Sequence, residues 1–307
     1  MKRRLICPLT SQSLFLLTVG DVFVTILHIW YEECKMKIAV LGPLGTYSYL
    51  AGKIYEKKIG TSVEFVYVKH IKEMMDIKEQ VDVMICPVEN TLDGYIGIHM
   101  DLIIKHQLKI LSEIHVPISF CFVSRLEAHK IKRVYVQYAA KNQCLDFLDE
   151  LKDKEIIVMD SNVYAYQAYL DDPFGAAIVP KHLAKADEMV NDMVQDEKDN
   201  YTRFLVMTEN RDKSDLKINE TFKVSLVISP KIDRPGLLFD IIKVFKEHHV
   251  NMTSIISRPT KKKLGTYHFY LELEGKDQDI QIINQVIKTL QYEFPVSSLG
   301  IYSVYKK

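Results

Sequence analysis

The feature that most constrains this fold is a regular alternation of short apolar runs and helical segments near the start of the chain. The apolar runs are rich in β-branched residues and have the length of buried strands, at 37–41, 63–68 and 81–88. The segments at 46–58 and 71–80 have the residue spacing of helices. Because strand and helix alternate, we predict a mostly parallel sheet covered by helices.

A second α/β unit follows this first one. Its extended segments are predicted at 115–123, 131–136, 156–159, 176–179 and 201–207. Helices are predicted at 142–151 and 162–170. Two such lobes in series, with the last strand returning to the first lobe, enclose a cleft between them. A cleft of this kind is the usual place for a small ligand.

The end of the chain has a different pattern. Residues 209–221 are polar and charged, and we interpret them as a linker. Strands at 222–229, 251–257, 266–274 and 296–305 and helices at 235–249 and 280–291 then follow. The first of these helices is predicted to hold Pro235 in its first turn, with Asp233 as its cap. The order βαββαβ is that of the ferredoxin-like arrangement.

Composition argues against several classes of protein. Lys+Arg and Asp+Glu both number 40, so the formal net charge is zero and a nucleic-acid partner is not expected. The five cysteines are scattered and without CxxC spacing. This pattern predicts reduced thiols in a cytoplasmic protein, without a disulfide framework or a structural zinc site. The histidines also lack HExxH spacing, so no metal site is predicted.

Residues 1–35 imitate a signal peptide or membrane anchor, because Met-Lys-Arg-Arg precedes an apolar stretch. Asp21 interrupts that stretch, which is costly at the centre of a bilayer. No small-x-small cleavage site precedes the first strand. We therefore expect an upstream extension outside the working fold, with no membrane contact. A membrane or export signal is the alternative that stays open.

The first strand ends in the loop Gly42-Pro43-Leu44-Gly45-Thr46. This loop has neither the GxGxxG pattern nor the GK[ST] ending of nucleotide-binding loops. Two interpretations stay open. The glycines only allow a tight turn, or the free N–H groups at the helix start bind an anion such as a carboxylate.

Two further polar stretches lie at predicted strand ends. Glu89, Asn90 and Thr91 follow the strand at 81–88, at the edge where ligands bind in open α/β sheets. The alternative is a capping box for the next helix. Thr202 and Arg203 begin a later strand. Arginine can bind a carboxylate with two hydrogen bonds and threonine can donate one, or both simply start an exposed strand.

In this order, the stretches GPLGTYS, PVENTLDG and NYTRF resemble the signature sequences of the prephenate dehydratase family, enzymes of phenylalanine biosynthesis. The stretch DRPGLLFDIIKVFKEHHVNMTSIISRP resembles the ACT regulatory domain of that family. The resemblance covers about residues 36–305. It implies a two-lobe, periplasmic-binding-protein-like α/β catalytic domain followed by a C-terminal ferredoxin-like (βαββαβ) ACT domain. The implied bounds are 36–112 plus 186–212 for lobe one, 113–185 for lobe two and 222–307 for the ACT domain.

The resemblance implies conversion of prephenate to phenylpyruvate, water and carbon dioxide, without a metal or an organic cofactor. A hydrogen-bond donor at the departing hydroxyl assists this reaction. Family motifs give that catalytic role to Thr202. The residues that they place around the substrate are Gly45, Thr46, Asn90, Thr91, Gln143, Ser161 and Arg203. For Arg203, a carboxylate contact and a brace within the strand stay equally open, because successive strand residues face opposite ways.

The sequence departs from the family pattern at three positions. Asn162 stands where a threonine is usual, and Val136 stands where a serine of the pocket is expected. Gln137 is a candidate to replace the missing contact. Ile256 stands where a glutamate normally precedes the Ser-Arg-Pro motif of the ACT domain.

The ACT domain of this family binds phenylalanine and inhibits the enzyme. By resemblance, L-phenylalanine is the expected effector here, bound by Gly236, Leu237, Leu238, Asn251 and Ser257. ACT domains generally pair through their sheets, so a homodimer or homotetramer is expected.

Three rival functions fit parts of the sequence. A solute-binding protein shares the two-lobe outline, but the ACT-like unit and Thr202 argue against it. A non-catalytic amino-acid sensor is favoured by Val136 and Asn162. An enzyme acting on arogenate, the transaminated analogue of prephenate, shares nearly all the motifs, and the sequence does not separate it from a prephenate enzyme.

Overall fold

The computed structural model describes residues 35–185, 188–210, 221–261 and 265–305. The predicted extension at 1–35, except for its last residue, lies outside the described residues. Most of the predicted linker at 209–221 also lies outside them.

The first part of the chain forms the predicted parallel sheet with its helices. Its elements are β1 (Met36–Leu41), α1 (Tyr47–Ile59), β2 (Val63–Val68), α2 (Ile71–Asp76), β3 (Val83–Asn90), β4 (Gly94–Tyr95), α3 (Gly97–His106) and β5 (Lys109–Pro117). Strand β1 pairs in parallel with β2 on one side and with β3 on the other, which confirms the prediction. Ile38, Ala39 and Val40 of β1 are all fully buried, so both faces of this strand are covered.

The second lobe contains a separate five-stranded sheet. Its elements are β6 (Phe120–Ser124), β7 (Arg133–Gln137), α4 (Tyr138–Asn142), α5 (Leu145–Glu150), β8 (Glu155–Met159), α6 (Asn162–Asp171), β9 (Gly175–Pro180) and β10 (Met189–Asp192). Short 3₁₀ turns occur at Ala128–Lys130 and Lys181–Leu183. The strand order is β10-β6-β9-β7-β8.

Two predictions about the lobes need correction. The extended segment predicted at 115–123 is two strands, because β5 belongs to the large sheet and β6 to the small one. The segment 186–212 was assigned to lobe one, yet β10 within it pairs antiparallel with β6 of lobe two. The next strand, β11 (Tyr201–Thr208), does return to the first sheet as predicted, between β3 and β5.

The C-terminal unit has the predicted βαββαβ order. It consists of β12 (Phe222–Ile228), α7 (Leu237–Glu247), β13 (Met252–Pro259), β14 (Tyr267–Gly275), α8 (Ile280–Glu293) and β15 (Val296–Tyr305), with a 3₁₀ turn at Asp277–Asp279. The predicted start of α7 was wrong. The helix begins after Gly236, whose φ of 80° is left-handed, and neither Asp233 nor Pro235 belongs to it.

The large sheet of the first lobe continues into the strands of the C-terminal unit, which the sequence analysis did not predict. Strand β15 pairs in parallel with β5, with Ser303 opposite Ser112. The described strands of the large sheet therefore run β13-β14-β12-β15-β5-β11-β3-β1-β2, with β4 beside β3. One hydrophobic core crosses the junction and contains Met84, Cys86, Ile110, Val227, Tyr270 and Tyr302.

Candidate active site

A pocket of about 300 Å³ opens between the two lobes. The first lobe contributes the start of α1, the last residues of β3 and the first residues of β11, which are paired there. Its lining residues include Ser48, Asn90, Thr202 and Phe204. The second lobe contributes the starts of α4 and α6, with Gln137, Gln143, Ser161 and Asn162. The sequence-predicted residues Thr46, Asn90, Gln143, Ser161 and Thr202 are thus brought together around one pocket.

Thr202 is held by Asn90 from the neighbouring strand. The two residues are paired in the register of β11 and β3, and Asn90 Nδ2 donates to Thr202 Oγ1 at 3.0 Å. The Asn90 side-chain carbonyl oxygen accepts from the N–H groups of Leu92 (3.0 Å) and Asp93 (3.4 Å), which fixes the orientation of the amide. Since Asn90 donates to Thr202, the threonine oxygen is an acceptor in this bond. Its own proton is then available for an acceptor in the pocket.

Asn200 connects this pair to the second lobe. The sequence analysis quoted it as the first residue of the NYTRF stretch but gave it no role of its own. It is 1% exposed, and its side chain accepts from Asn90 Nδ2 at 2.8 Å. It donates to Gln143 Oε1 at 2.9 Å. The signal that could have found it is its position directly before the Tyr-Thr-Arg-Phe stretch. A buried amide with partners on both lobes holds the two sides of the pocket in register.

Thr91 was predicted to contact the substrate, but its hydroxyl is used inside the protein. It donates to Asn200 Oδ1 at 3.1 Å and accepts from the Tyr201 N–H at 3.0 Å. Thr91 is not among the pocket-lining residues. Its placement corresponds to a brace for the loop after β3 and not to a substrate contact.

The starts of two helices line the pocket. Thr46 caps α1, where its hydroxyl accepts from the Tyr49 N–H at 3.3 Å, and Ser161 caps α6 in the same way with Tyr164 at 3.1 Å. The first N–H groups of a helix lack partners within it, and the helix dipole makes this end positive. One such end on each side of the pocket suits a ligand with two carboxylates.

Gly45 does not line the pocket, although the sequence analysis placed it there. Its φ of 91° is left-handed, and a Cβ at this position would lie 3.0 Å from Leu183 Cδ2 of the second lobe. The Gly45 carbonyl oxygen lies 2.7 Å from His182 Nε2, also of the second lobe. Glycine is therefore required here for the backbone turn and for close contact between the lobes.

Arg203 points away from the pocket, so its assignment to substrate binding is not supported. Its side chain is buried, with Nη1 3.1 Å from Glu113 Oε2 and 2.7 Å from Glu272 Oε2. Thr202 and Arg203 face opposite sides of the sheet, as neighbours in a strand do. Of the two interpretations left open by the sequence, this placement favours the brace.

The departures from the family pattern have visible consequences. Val136 is fully buried in the core of the second lobe. Gln137 lines the pocket, but its Oε1 accepts from the Ala139 and Ala140 N–H groups at the start of α4, which leaves its amide hydrogens for a ligand. Asn162 Oδ1 is buried and has no hydrogen-bond partner among the described residues.

The charge of the pocket comes from carboxylates and dipoles. Asp93 and Asp160 line it, and none of the described lining residues is Lys, Arg or His. Tyr47 also lines it, and burial raises the pKa of its hydroxyl well above the usual range. That hydroxyl donates to the Ser119 carbonyl at 2.8 Å, which joins α1 to the start of the second lobe.

The predicted regulatory residues lie in the C-terminal unit at two places. Gly236, Leu237 and Leu238 form the start of α7, where Leu237 is buried and Leu238 is 39% exposed. Asn251 precedes β13, and Ser257 lies within β13 opposite Phe269. Their role as an effector site stays a prediction.

The described residues contain neither a metal-binding cluster nor a membrane-spanning helix. No group of three or more His, Cys, Asp or Glu side chains is arranged there to hold a metal ion. None of the helices in those ranges is both long enough and apolar enough to cross a membrane.

Comparison with known proteins gives matches over most of the chain. The prephenate dehydratase family model matches residues 38–212, and the ACT domain model matches residues 225–291. A bifunctional chorismate mutase/prephenate dehydratase of Aquifex aeolicus is 30% identical over 89% of this chain and 77% of its own length. A prephenate dehydratase of Methanocaldococcus jannaschii is 29% identical over 86% of this chain and 96% of its own.

A solved structure shares the fold. It is the prephenate dehydratase of Arthrobacter aurescens in complex with L-Phe, with a TM-score of 0.76 and 26% sequence identity. The match covers 87% of this chain and 90% of that one.

Proposed function

Because the chain belongs to the prephenate dehydratase family, we propose that its interlobe pocket converts prephenate to phenylpyruvate, carbon dioxide and water. The observation that carries this proposal is the Asn90–Thr202 hydrogen bond, in which the threonine oxygen accepts and its proton is left available for a ligand. The helix starts at Thr46 and Ser161 are suited to the two carboxylates of the substrate.

The reaction breaks two bonds of the substrate. The carbon–carbon bond to the ring carboxylate breaks and releases carbon dioxide, and its electron pair enters the ring. The carbon–oxygen bond on the opposite side of the ring breaks, and the hydroxyl leaves with its own electron pair. Thr202 stabilises the negative charge that develops on this oxygen by donating a hydrogen bond. The departing hydroxide takes up a proton from solvent and becomes water.

The protein contributes orientation and hydrogen-bond donors to this reaction. Aromatisation of the ring supplies most of the driving force, so a strong acid is not required at the leaving oxygen. Donors held rigidly before the reaction cost no reorganisation during it. The amide network of Asn90, Asn200 and Gln143 provides that rigidity.

A turnover assay that follows phenylpyruvate formation from prephenate tests this function. The purified protein is expected to form phenylpyruvate, and Thr202→Ala is expected to lose most of the activity while it stays folded. Absence of turnover by the unaltered protein, with both prephenate and arogenate, would refute the enzymatic function. It would favour the non-catalytic sensor instead.

Arogenate is a second candidate substrate, and the charge of the pocket favours it. Arogenate carries an ammonium group in place of the ketone oxygen of prephenate. Asp93 and Asp160 line the pocket, and the Asn162 side-chain carbonyl oxygen is without a partner among the described residues. Comparing kcat/KM for the two substrates decides between them. Asn162→Thr should lower kcat/KM more for arogenate than for prephenate if the carbonyl accepts from the ammonium group.

Regulation by phenylalanine belongs to the same proposal. The relative from Arthrobacter aurescens was solved with L-Phe bound, and the C-terminal unit of this chain matches the ACT domain model. We expect phenylalanine to bind near Gly236 and Ser257 and to inhibit turnover, in a homodimer or homotetramer of a cytoplasmic enzyme. Measuring turnover during titration with phenylalanine and with tyrosine tests the inhibition. Size-exclusion chromatography tests the oligomeric state.

A further inference from the structure

The large sheet is strongly curved where the C-terminal unit joins it. Three strands, β5, β15 and β12, lie between β11 and β14 in the sheet order. Even so, Arg203 of β11 reaches Glu272 of β14, with Nη1 2.8 Å from Oε1 and 2.7 Å from Oε2. Neighbouring strands are about 4.8 Å apart, so a flat sheet would keep these residues far from each other. The sheet therefore folds β14 over the strand that carries Thr202.

The space inside this curve contains a group of buried and partly buried charged and polar side chains, which we call the Arg203 cluster. Its members are Glu89, Tyr95, Glu113, Arg203, Lys223 and Glu272. Glu113 and Glu272 are 0% and 2% exposed. Lys223 Nζ lies 2.7 Å from Glu113 Oε1, and Arg203 Nε lies 3.0 Å from Glu89 Oε2. Arg203 Nη2 donates to the Tyr95 hydroxyl at 3.0 Å.

Buried charges persist only with partners, so each member of the cluster restrains its neighbours. Burial alone would raise the pKa of Glu113. The His115 hydrogen bond and the charges of Arg203 and Lys223 instead lower it to about 2. Glu113 is therefore ionised at neutral pH. The guanidinium of Arg203 is restrained by carboxylates from three different strands, β3, β5 and β14.

The cluster lies directly behind the proposed catalytic residue. Thr202 pairs with Asn90 and Arg203 pairs with Glu89, and the register of β11 against β3 shifts immediately after Arg203. A register shift of this kind locally disrupts the ladder and bends the strand. The position of the Thr202 hydroxyl on one face thus depends on how Arg203 is held on the other face.

We propose that Glu272 of the C-terminal unit, acting through Arg203, positions Thr202 and Asn90 for the reaction. Glu272 is then a positioning residue contributed by a unit that does not line the pocket. This inference rests on the proposed dehydratase function.

A second ion-pair site at the same interface provides a matched control. Asp101 of α3 lies 2.7 Å from Arg258 Nε and 2.6 Å from Lys261 Nζ, both of the C-terminal unit. This contact joins the same two parts of the molecule, but neither β11 nor the Asn90 end of β3 takes part in it. Asp101→Asn therefore weakens the interface without disturbing the strand of Thr202.

The test compares kcat and KM of Glu272→Gln, Glu272→Asp and Asp101→Asn with those of the unaltered protein. For Glu272→Gln, we expect kcat to fall about tenfold or more with KM changed less than about threefold, because misplacement of the donor affects the transition state most. Glu272→Asp should recover part of the loss, and Asp101→Asn should keep kcat within about twofold.

The outcomes separate this inference from the proposed function. If the unaltered protein turns over prephenate and folded Glu272→Gln keeps its kcat, the positioning role is wrong and the dehydratase function stands. Equal losses of kcat in Glu272→Gln and Asp101→Asn would also overturn the positioning role. Both losses would then come from a weakened contact between the C-terminal unit and the first lobe. If Glu272→Gln does not fold, Tyr95→Phe decides. It removes one hydroxyl that contacts Arg203 and Glu272 and should lower kcat, whereas an unchanged kcat contradicts the inference.

Discussion

At the active site, the amide of Asn90 determines what the hydroxyl of Thr202 can do. An amide nitrogen only donates, so the Thr202 oxygen accepts from it and keeps its own proton for an acceptor in the pocket. The carbonyl side of Asn90 is held by two backbone N–H groups, so the amide cannot turn over without losing both. A weakly acidic hydroxyl is thereby given a defined direction.

Asn90→Asp tests this arrangement, because it keeps the shape but replaces the donating nitrogen with an accepting oxygen. The Thr202 hydroxyl would then donate its proton to the introduced carboxylate, and we expect kcat to fall about 100-fold or more. Asn162→Asp is the control for the added negative charge, since it also places a carboxylate in the pocket. It should raise KM for prephenate and affect kcat much less. Similar kcat losses in both variants would contradict the role given to Asn90.

The lowered pKa of Glu113 makes the free energy of unfolding depend on pH. Its pKa falls from an ordinary value of 4.5 to about 2 in the folded protein, so the ionised form stabilises the fold above pH 4.5. This stabilisation, on the order of 3 kcal/mol, is lost as the pH falls from 4.5 to 2. The pKa of Glu89 is raised, chiefly by burial, and its contribution has the opposite sign.

Urea unfolding at several pH values measures this effect. Glu113→Gln should lower the free energy of unfolding at pH 7, and the difference from the unaltered protein should shrink as the pH approaches 2. Glu64→Gln removes an exposed carboxylate on β2 and should change the free energy of unfolding at pH 7 much less than Glu113→Gln does. A Glu113→Gln difference that is constant with pH would contradict the assignment.

Among the elements, β15 approaches β5 most closely in the region of a glycine, Gly300. Gly300 has a φ of 143°, and a Cβ there would lie 2.5 Å from the Ile110 carbonyl oxygen. Any side chain would push the two strands apart at the start of their contact. The pairing that joins the C-terminal unit to the catalytic part therefore depends on this position.

Gly300→Ala is expected to destabilise the protein by about 3 kcal/mol, through backbone strain and the close contact together. Gly60→Ala is the matched control. Gly60 is also left-handed, with a φ of 66°, but a Cβ there would meet no atom within 4 Å. It should cost only about 1 kcal/mol, which is the strain alone. Equal losses in urea unfolding would show that the contact with Ile110 is unimportant.

Most helices and strands were predictable from the sequence, but the pairing of the strands into sheets was not. Apolar alternation in 267–273 and β-branched runs such as 63–68 predict strands, because these patterns depend on local burial. The strand predicted at 115–123 was wrong, since the chain passes from one sheet to the other at Ile118, whose N–H donates to the Asn200 carbonyl. An apolar residue at such a crossing has the same sequence pattern as one inside a strand.

At the scale of the whole molecule, the sequence predicted a two-lobe α/β domain and a βαββαβ unit but not their common sheet. The pairing of β15 with β5 involves residues that are far apart in the chain, and periodicity does not identify which edges meet. The same reason explains why the buried position of Arg203 was not predicted. Its strand was predicted, but the face on which it lies and its contact with Glu272 depend on how the two units join.

The joined sheet gives the C-terminal unit a direct physical connection to the active site. Its strand β14 supplies a charge to the Arg203 cluster, and that cluster borders the residues that hold Thr202. An effector that changes the position of β14 therefore has a short route to the proposed catalytic residue. The proposed regulation by phenylalanine would use this connection when the position of β14 differs between the phenylalanine-bound and the free protein.

In the proposed reaction, the Thr202 hydroxyl donates to the departing oxygen of the substrate. The most direct measurement compares kcat for prephenate between Thr202→Ser, which keeps a hydroxyl, and Thr202→Val, which keeps the shape without it. We predict that the serine variant retains activity within about tenfold and that the valine variant loses about 100-fold or more. Equal kcat values in the two folded variants would contradict this role of Thr202, because the hydroxyl would then have no part in the reaction.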